Sequence, residues 1–176
     1  EARGVLRMLG ALDGQNRVTD HGRAIARHPL HPRLAHMLTT AGRDAAPLAA
    51  LMGERDPLIG VPPDLGQRLR ALKNPQGYGK AVNHAALSRI TAEAKRLATS
   101  AVPRPSLSPG AMSALAYPDR VGLRRPGQDA ARFLLSGGKG AVLPDDSPLA
   151  GQRLIVATDL DGNPREARIR QAAPIS

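Results

Sequence analysis

The hydrophobic period of this chain changes near residue 119, and that change constrains the fold more than any other feature. Before it, apolar side chains recur at helical spacing, most clearly in the stripe formed by Leu87, Ile90, Ala94 and Leu97. After it, short apolar runs alternate with turn-forming residues, a pattern typical of strands. The sequence therefore predicts an α+β protein in which helices come first and strands last.

Prolines and capping residues divide the helical part. A short helix ends before the turn-forming stretch at residues 13–16, and Thr19 is a good N-cap for a second helix over residues 20–27. Helix, tight wing and helix is the order in which a winged-helix module ends. The further helices that we predict begin at Arg33, cover about 45–54, 64–73 and 80–101, and follow the cap Ser108-Pro109.

Five short strands are predicted in the last third of the chain. They cover residues 120–125, 132–136, 141–143, 154–158 and 167–170. Turns that contain Gly137-Gly138, Asp145-Asp146 and Asp161-Gly162-Asn163 separate them. This spacing is typical of a small antiparallel barrel or a meander. Because the chain ends soon after the last strand, we expect the barrel to be incomplete.

The charge of the chain favours a polyanionic partner. The formal net charge is +10 and the pI is near 11.3. Residues 61–118 carry eight basic and only two acidic side chains. Almost all of the basic residues are arginine, which is always ionised and binds phosphate in a two-pronged way. The codon bias of a GC-rich genome also favours arginine over lysine, but it does not explain the net excess. Nucleic acid is therefore the leading partner class.

Two groups of basic side chains are candidate nucleic-acid contacts. The first, Arg89, Lys95 and Arg96, points away from the apolar stripe of the longest helix, and Glu93 lies within pairing distance of both arginines. A solvated helix surface is the alternative interpretation of this face. The second group lies in the strand segment and consists of Arg124, Arg125 and Lys139.

Aromatic residues are scarce, and this affects the expected mode of contact. The chain has two tyrosines, one phenylalanine and no tryptophan. Base stacking on side chains therefore has few candidates. We expect contacts that follow the phosphate backbone and are indifferent to base sequence.

Patterns that could indicate an active site or a metal centre have simpler explanations. Residues 136–140 resemble a phosphate loop, but they lack the spacing between glycines and the hydroxyl residue after lysine, so we interpret them as a hairpin turn. His28, His31 and His36 have no carboxylate cluster beside them and are interpreted as part of a helix entry rather than as metal ligands. No self-contained catalytic site is visible. The chain has no cysteine and no apolar run long enough to cross a bilayer, so we expect neither disulfides nor membrane insertion.

Several ordered motifs resemble a known family. The end of the winged-helix module and the helicase-associated domain of DEAH/RHA-type helicases are similar to this chain at residues 9–13, 17–19, 21–23, 29–38 and 54–58. The Ala-Tyr-Pro-Asp-Arg stretch at residues 116–120, followed by residues 133–141, narrows the resemblance to the bacterial HrpB branch. In that branch a similar stretch introduces a small oligonucleotide-binding (OB)-type barrel. The resemblance covers nearly the whole chain.

The resemblance implies a division of the chain into four parts. These are the end of a winged-helix module (1–32), a helicase-associated helical bundle (33–102), a linker with a short helix (103–118) and a truncated OB-like β domain (119–176).

The resemblance also implies an accessory role within a longer cytoplasmic protein. The parent protein would hydrolyse ATP with Mg²⁺ and translocate on RNA through two RecA-like domains, whose motifs this chain lacks. The chain itself would need no cofactor, would guide single-stranded RNA, with DNA as the alternative, and would hydrolyse nothing alone. Two other functions stay open, a protein-docking module that recruits a partner and a winged-helix DNA-binding protein.

Overall fold

The computed structural model describes all 176 residues, from Glu1 to Ser176. Seven α-helices come first: α1 (Ala2–Met8), α2 (Asp20–Ala26), α3 (Pro32–Ala41), α4 (Ala46–Met52), α5 (Leu65–Lys73), α6 (His84–Ser100) and α7 (Pro109–Ala116). Turns of 3₁₀-helix lie at Arg43–Ala45, Pro75–Ala81 and Pro118–Arg120. Five strands follow: β1 (Val121–Arg124), β2 (Arg132–Leu135), β3 (Gly140–Val142), β4 (Leu154–Leu160) and β5 (Glu166–Pro174). The predicted α+β class, with helices before strands, is confirmed.

The predicted helix caps are present. The Thr19 hydroxyl accepts a hydrogen bond from the Gly22 amide at 2.9 Å, and the Ser108 hydroxyl accepts one from the Ala111 amide at 3.2 Å. The predicted tight wing between α1 and α2 is a single antiparallel bridge between Leu12 and Val18. Local side-chain chemistry therefore determines where these helices begin.

The longest helix begins later than predicted. Residues 75–81 form 3₁₀ turns, and Gly79 has a φ of 49°, in the left-handed region that favours glycine. The helix α6 then begins at His84, because the side chain of Asn83 accepts the Ala86 amide at 3.1 Å and caps the first turn. The glycine and the asparagine together delay the helix by one turn.

The five strands form a closed barrel in the order β1-β2-β3-β5-β4. The prediction of an incomplete barrel was wrong, because β5 extends to Pro174 and pairs with both β3 and β4. The barrel was also predicted to be antiparallel throughout, and one of its five strand pairs is not. The pair β3–β5 is parallel, because the chain crosses from β4 to the free edge of β3 and closes the ring there. A closed five-stranded barrel after a helical region matches the predicted OB-like architecture.

One hydrophobic cluster joins the helices to the barrel. The barrel interior has its own core around Phe133, Ile155 and Ile169, which are at most 1% exposed. The outward-facing Val156 and Ala173 of the barrel are instead fully buried in the core of the helical bundle. The barrel wall is thus part of the helical core. No helix combines the length and the apolar character that crossing a membrane requires.

Candidate nucleic-acid interface

An ion pair crosses the boundary between the bundle and the barrel. Arg33 on α3 is 8% exposed, and its guanidinium donates to both carboxylate oxygens of Asp119, at 2.7 and 3.0 Å. The same guanidinium donates to the Ala116 carbonyl at 3.1 Å. Burial by itself raises the pKa of Asp119, but the hydrogen bonds and charge of Arg33 outweigh it and hold that pKa below its usual value. The pair fixes α3 against the 3₁₀ turn that leads into β1.

Tyr117 contacts two guanidinium groups at this boundary. The Arg33 guanidinium carbon lies 5.0 Å from the ring centroid and that of Arg120 lies 4.7 Å away. Burial raises the pKa of the Tyr117 hydroxyl above its usual value, although both cations lower it. The ring is therefore a structural anchor that makes cation–π contacts with both arginines.

A second buried arginine organises the helical bundle. Arg68 on α5 is 2% exposed and donates to both carboxylate oxygens of Asp56, at 3.0 and 2.8 Å. It also donates to the carbonyls of Pro62 and Val61, at 2.5 and 2.7 Å. Since its donors are used within the chain, Arg68 is a packing residue rather than a ligand-binding one.

Two of the three predicted cations on α6 already have carboxylate partners. Arg96 donates to Glu93 at 2.8 and 2.5 Å. Arg89 pairs with Glu54 at 3.2 Å and not with Glu93, because the loop after α4 places Glu54 beside it. Hydrogen bonds from these arginines lower the pKa values of Glu54 and Glu93. Only Lys95 is exposed without an ion pair, so any polyanion at this face has to compete with two carboxylates.

The barrel brings a third arginine to the two that the sequence indicated. Arg124 and Arg125 lie at the end of β1 and line a cavity of about 510 Å³ together with Arg153. Arg124 donates to the Ala150 carbonyl, whereas Arg125 and Arg153 are exposed and form no ion pair. Sequence reasoning missed Arg153, because only the antiparallel pairing of β1 with β4 places it here. We call these three residues the rim cluster.

Lys139 lies in the hairpin between β2 and β3. Its carbonyl accepts the Leu135 amide at 2.9 Å, which closes the turn, so the interpretation of residues 136–140 as a hairpin rather than a phosphate loop is confirmed. The Arg125 guanidinium lies 3.8 Å from the position that a Cβ would take at Gly140. The rim cluster and this hairpin are therefore neighbours. The six predicted cations form two groups, one on α6 and one on the barrel.

The histidines serve the helical packing. The His31 ring accepts the Arg33 amide at 3.2 Å and caps α3, as expected for a helix entry. The ring nitrogens of His21 and His36 lie 2.7 Å apart, and burial together with His21 lowers the pKa of His36 to about 4. No three histidine or acidic side chains lie close enough to hold a metal ion.

None of the three aromatic rings lies on the outer surface of the barrel. Phe133 is fully buried inside it, Tyr117 is covered by arginines, and Tyr78 packs half-buried beside a small cluster in the bundle. The outer face of β1 and β2 instead carries Leu123 and Leu134, which pair directly across the strands and are 50% and 47% exposed. The barrel surface therefore offers arginine and leucine rather than stacking rings.

Solved structures of one protein superpose on almost the entire chain. A crystal structure of the E. coli DExH-box NTPase HrpB matches with 30% sequence identity and a TM-score of 0.74 over 99% of this chain. The chain resembles HrpB. A second crystal structure, of the Escherichia coli DEAH/RHA helicase HrpB, matches with 26% identity and a TM-score of 0.71 over the same share. The likeness expected from the motifs is confirmed, and the helices and barrel correspond to a helicase-associated region of HrpB.

The chain spans about a fifth of HrpB, since the match covers 21% of that protein. No protein-family model matches the chain, and no curated protein matches its sequence. The four predicted domain boundaries stay predictions.

Proposed function

We propose that this chain is an accessory region of an HrpB-like ATP-dependent RNA helicase and guides single-stranded RNA by contacts to its phosphates. The observation that carries the proposal is the rim cluster, where Arg124, Arg125 and Arg153 surround one cavity whose lining contains no carboxylate. A phosphate there meets no competing anion. The α6 arginines, in contrast, are already neutralised by Glu54 and Glu93.

The position of the rim cluster supports the proposal. It lies where β1 ends and the loop to β2 begins, and that loop is one of the two through which OB barrels bind oligonucleotides. Arginine forks bind phosphate oxygens without reading the base. RNA bound in this way is held firmly enough to be guided and loosely enough to slide.

ATP hydrolysis is assigned to other parts of the parent protein. The chain contains neither a phosphate loop nor an Asp-Glu-x-His motif. ATP and Mg²⁺ then act in RecA-like motor domains, and this chain alone turns over no ATP.

Fluorescence anisotropy with a labelled oligomer of about twelve uridines tests the RNA proposal over roughly 50 to 300 mM salt. The affinity should fall steeply as salt rises. The double variant Arg125→Ala/Arg153→Ala should bind about tenfold more weakly at low salt, with a salt slope smaller by about 1.4, because each lost phosphate contact removes about 0.7. The affinity for a thymidine oligomer of the same length shows whether the chain binds single-stranded DNA as well as it binds RNA.

The matched control is Arg3→Ala/Arg27→Ala. It removes the same charge from exposed arginines that form no ion pair and lie outside the barrel. Its affinity should stay near that of the unmodified chain. Equal weakening by the two double variants, or no binding of RNA at low salt, would contradict the proposal.

A protein-docking module is the second candidate function, and Leu123 with Leu134 favours it. Two large apolar side chains side by side on a strand surface are typical of a protein contact. Calorimetry with the RecA-like domains of an HrpB-type helicase, supplied as a separate chain, tests this candidate. Binding that Leu123→Ser/Leu134→Ser abolishes, in a chain that does not bind RNA, would favour docking over RNA guiding.

A further inference from the structure

We propose that a groove in the helical bundle docks an extended, acidic segment of a partner protein, which inserts one apolar side chain. The groove lies between α5, α6 and the segment that joins α6 to α7, and its volume is about 330 Å³. We call it the linker groove. Ligand pockets start at about 300 Å³, so this one suits a side chain rather than a large cofactor. The proposal goes beyond RNA guiding and does not depend on it.

The walls of the linker groove are mainly apolar. They are formed by Leu48, Leu69, Leu72, Ala94, Leu107 and Met112. All of these except Leu107 also pack in the core of the bundle. Leu107 is 42% exposed and belongs to none of the hydrophobic clusters of the chain. Because the fold does not use this side chain, it is available to cover an apolar group that enters the groove.

Two unpaired lysines favour an acidic partner. Lys73, the last residue of α5, and Lys95 on α6 both line the groove and are exposed. Neither ammonium group forms an ion pair. The lining has one carboxylate, that of Asp44, against these two cations. The surroundings of the apolar groove are therefore positive, which complements carboxylates on a partner.

The backbone of the joining segment, residues 102–108, favours a polypeptide as the occupant. Every residue of the segment is exposed, and it contains no helix or strand. The amides of Arg104, Ser106 and Leu107 donate no hydrogen bond within the chain, and the carbonyls of residues 103–107 accept none. The prolines in the segment favour an extended chain. Extended peptides bind by main-chain hydrogen bonds together with pockets for their side chains.

The linker groove is separate from the arginine face of α6. Lys95 lines it together with Thr91 and Ala94, whereas Arg89 and Glu93 line another cavity. Apolar walls do not stabilise a phosphate, and the unpaired carbonyls of the joining segment would repel it. The groove therefore fits an acidic polypeptide better than it fits RNA.

Fluorescence anisotropy with a labelled peptide tests the proposal in the full chain. The peptide has about nine residues, with a central leucine between glutamates, and it should bind saturably. Serine in place of the leucine should weaken binding about tenfold to hundredfold, because the groove then buries no apolar side chain. Methylation of the amides beside the leucine should weaken binding about threefold to tenfold. Lysines in place of the glutamates should abolish it.

Peptides with phenylalanine or methionine in the central position test anchors of other shapes. Failure of all three peptides to bind at about 1 mM would overturn the proposal. Equal affinities of the leucine and serine peptides, or of the glutamate and lysine peptides, would also overturn it.

Leu107→Ser tests the apolar wall. It should weaken binding of the leucine peptide about threefold to tenfold and leave the melting temperature unchanged, since Leu107 packs in no core. Val102→Ser is the matched control, because Val102 lies in the same segment, is 61% exposed and does not line the groove. An equal loss of peptide affinity in the two variants would exclude the groove as the binding site.

The double variant Lys73→Gln/Lys95→Gln tests the charges. It should weaken binding of the leucine peptide about threefold to tenfold at low salt. Lys80→Gln/Lys139→Gln removes the same charge from lysines outside the groove and should have less effect. Equal weakening by both double variants would mean that the peptide responds to net charge alone, which would contradict a docking site.

Binding of the uridine oligomer separates this proposal from RNA guiding. Leu107→Ser should bind the oligomer as the unmodified chain does, because the rim cluster lies on the barrel. Failure of the peptide to bind, with RNA binding intact, would overturn the docking site alone. Peptide binding that Leu107→Ser weakens, in a chain that binds no RNA, would support the docking site and contradict RNA guiding.

Discussion

The guanidinium of Arg33 and the carboxylate of Asp119 form two hydrogen bonds, of 2.7 and 3.0 Å, across the boundary between bundle and barrel. The two residues belong to the stretches 29–38 and 116–120, both of which carry the resemblance to HrpB-type helicases. Each of these two sequence motifs thus supplies one residue of the same ion pair. They hold the barrel against the helices.

Asp119→Asn should lower the free energy of unfolding by about 2 kcal/mol, because it leaves the buried Arg33 guanidinium without its counter-charge. Urea unfolding measures this loss. Asp20→Asn is the control, since Asp20 and its partner Arg23 are both exposed and such pairs contribute about 0–1 kcal/mol. An equal loss of unfolding free energy in the two variants would show that the boundary ion pair stabilises the chain no more than an exposed pair does.

The stability of the chain should fall as the pH falls from about 6.5 to about 4, in part through His36. Burial and the neighbouring His21 lower the pKa of His36 to about 4 in the folded chain, while the unfolded chain has the ordinary value near 6.5. Between these values the unfolded state binds a proton that the folded state does not, so acid favours unfolding. Because the ring is partly exposed, the contribution is on the order of 1 kcal/mol.

Urea unfolding at pH 7 and pH 5 measures this effect. The variant His36→Gln should lose less stability between the two pH values than the unmodified chain. If both proteins lost the same stability between pH 7 and pH 5, protonation of His36 would not be the cause of the acid destabilisation.

Gly110→Ala should destabilise the chain by about 1–3 kcal/mol. Gly110 lies in the first turn of α7 against β5, and an added Cβ would overlap the Pro174 carbonyl oxygen and lie 2.9 Å from its carbon. In contrast, nothing lies within 4 Å of a Cβ at Gly4 in α1, so Gly4→Ala should stabilise by about 0.5–1 kcal/mol. Thermal unfolding compares the two, and destabilisation at both positions would contradict this account.

The α6 face can be tested by freeing one of its arginines. Glu93→Gln removes the carboxylate that pairs with Arg96 and should strengthen binding of the uridine oligomer about twofold to threefold at low salt, if this face lies along the RNA path. Asp20→Gln, which frees the exposed Arg23 on α2, is the charge-matched control and should have less effect. Equal affinities of Glu93→Gln and the unmodified chain would make this face an ordinary solvated surface.

Local signals predicted most of the secondary structure. The caps Thr19 and Ser108 are where the sequence placed them, and all five strands overlap their predicted ranges. The start of α6 was missed for a local reason, the turn at Gly79 and the cap at Asn83, whereas the errors in the strands depend on distant partners. The strand β5 is longer than predicted, because pairing with both β3 and β4 extends it, and the barrel closes for the same reason.

The candidate site was only partly visible in the sequence. Charge and spacing identified Arg124 and Arg125, but Arg153 joins them only through the pairing of β1 with β4. Helical spacing suggested Glu93 as a partner for Arg89, and the fold supplies Glu54 instead, 35 residues away in the chain.

Side-chain types and short-range spacing by themselves determined the order of helices and strands, the caps and turns, and the excess of positive charge, because these depend on neighbours a few residues apart. The tertiary structure alone decided which charges are neutralised and which arginines converge at the barrel rim. Those relationships arise from barrel closure and from packing of the barrel wall in the helical core, which bring together residues far apart in the chain.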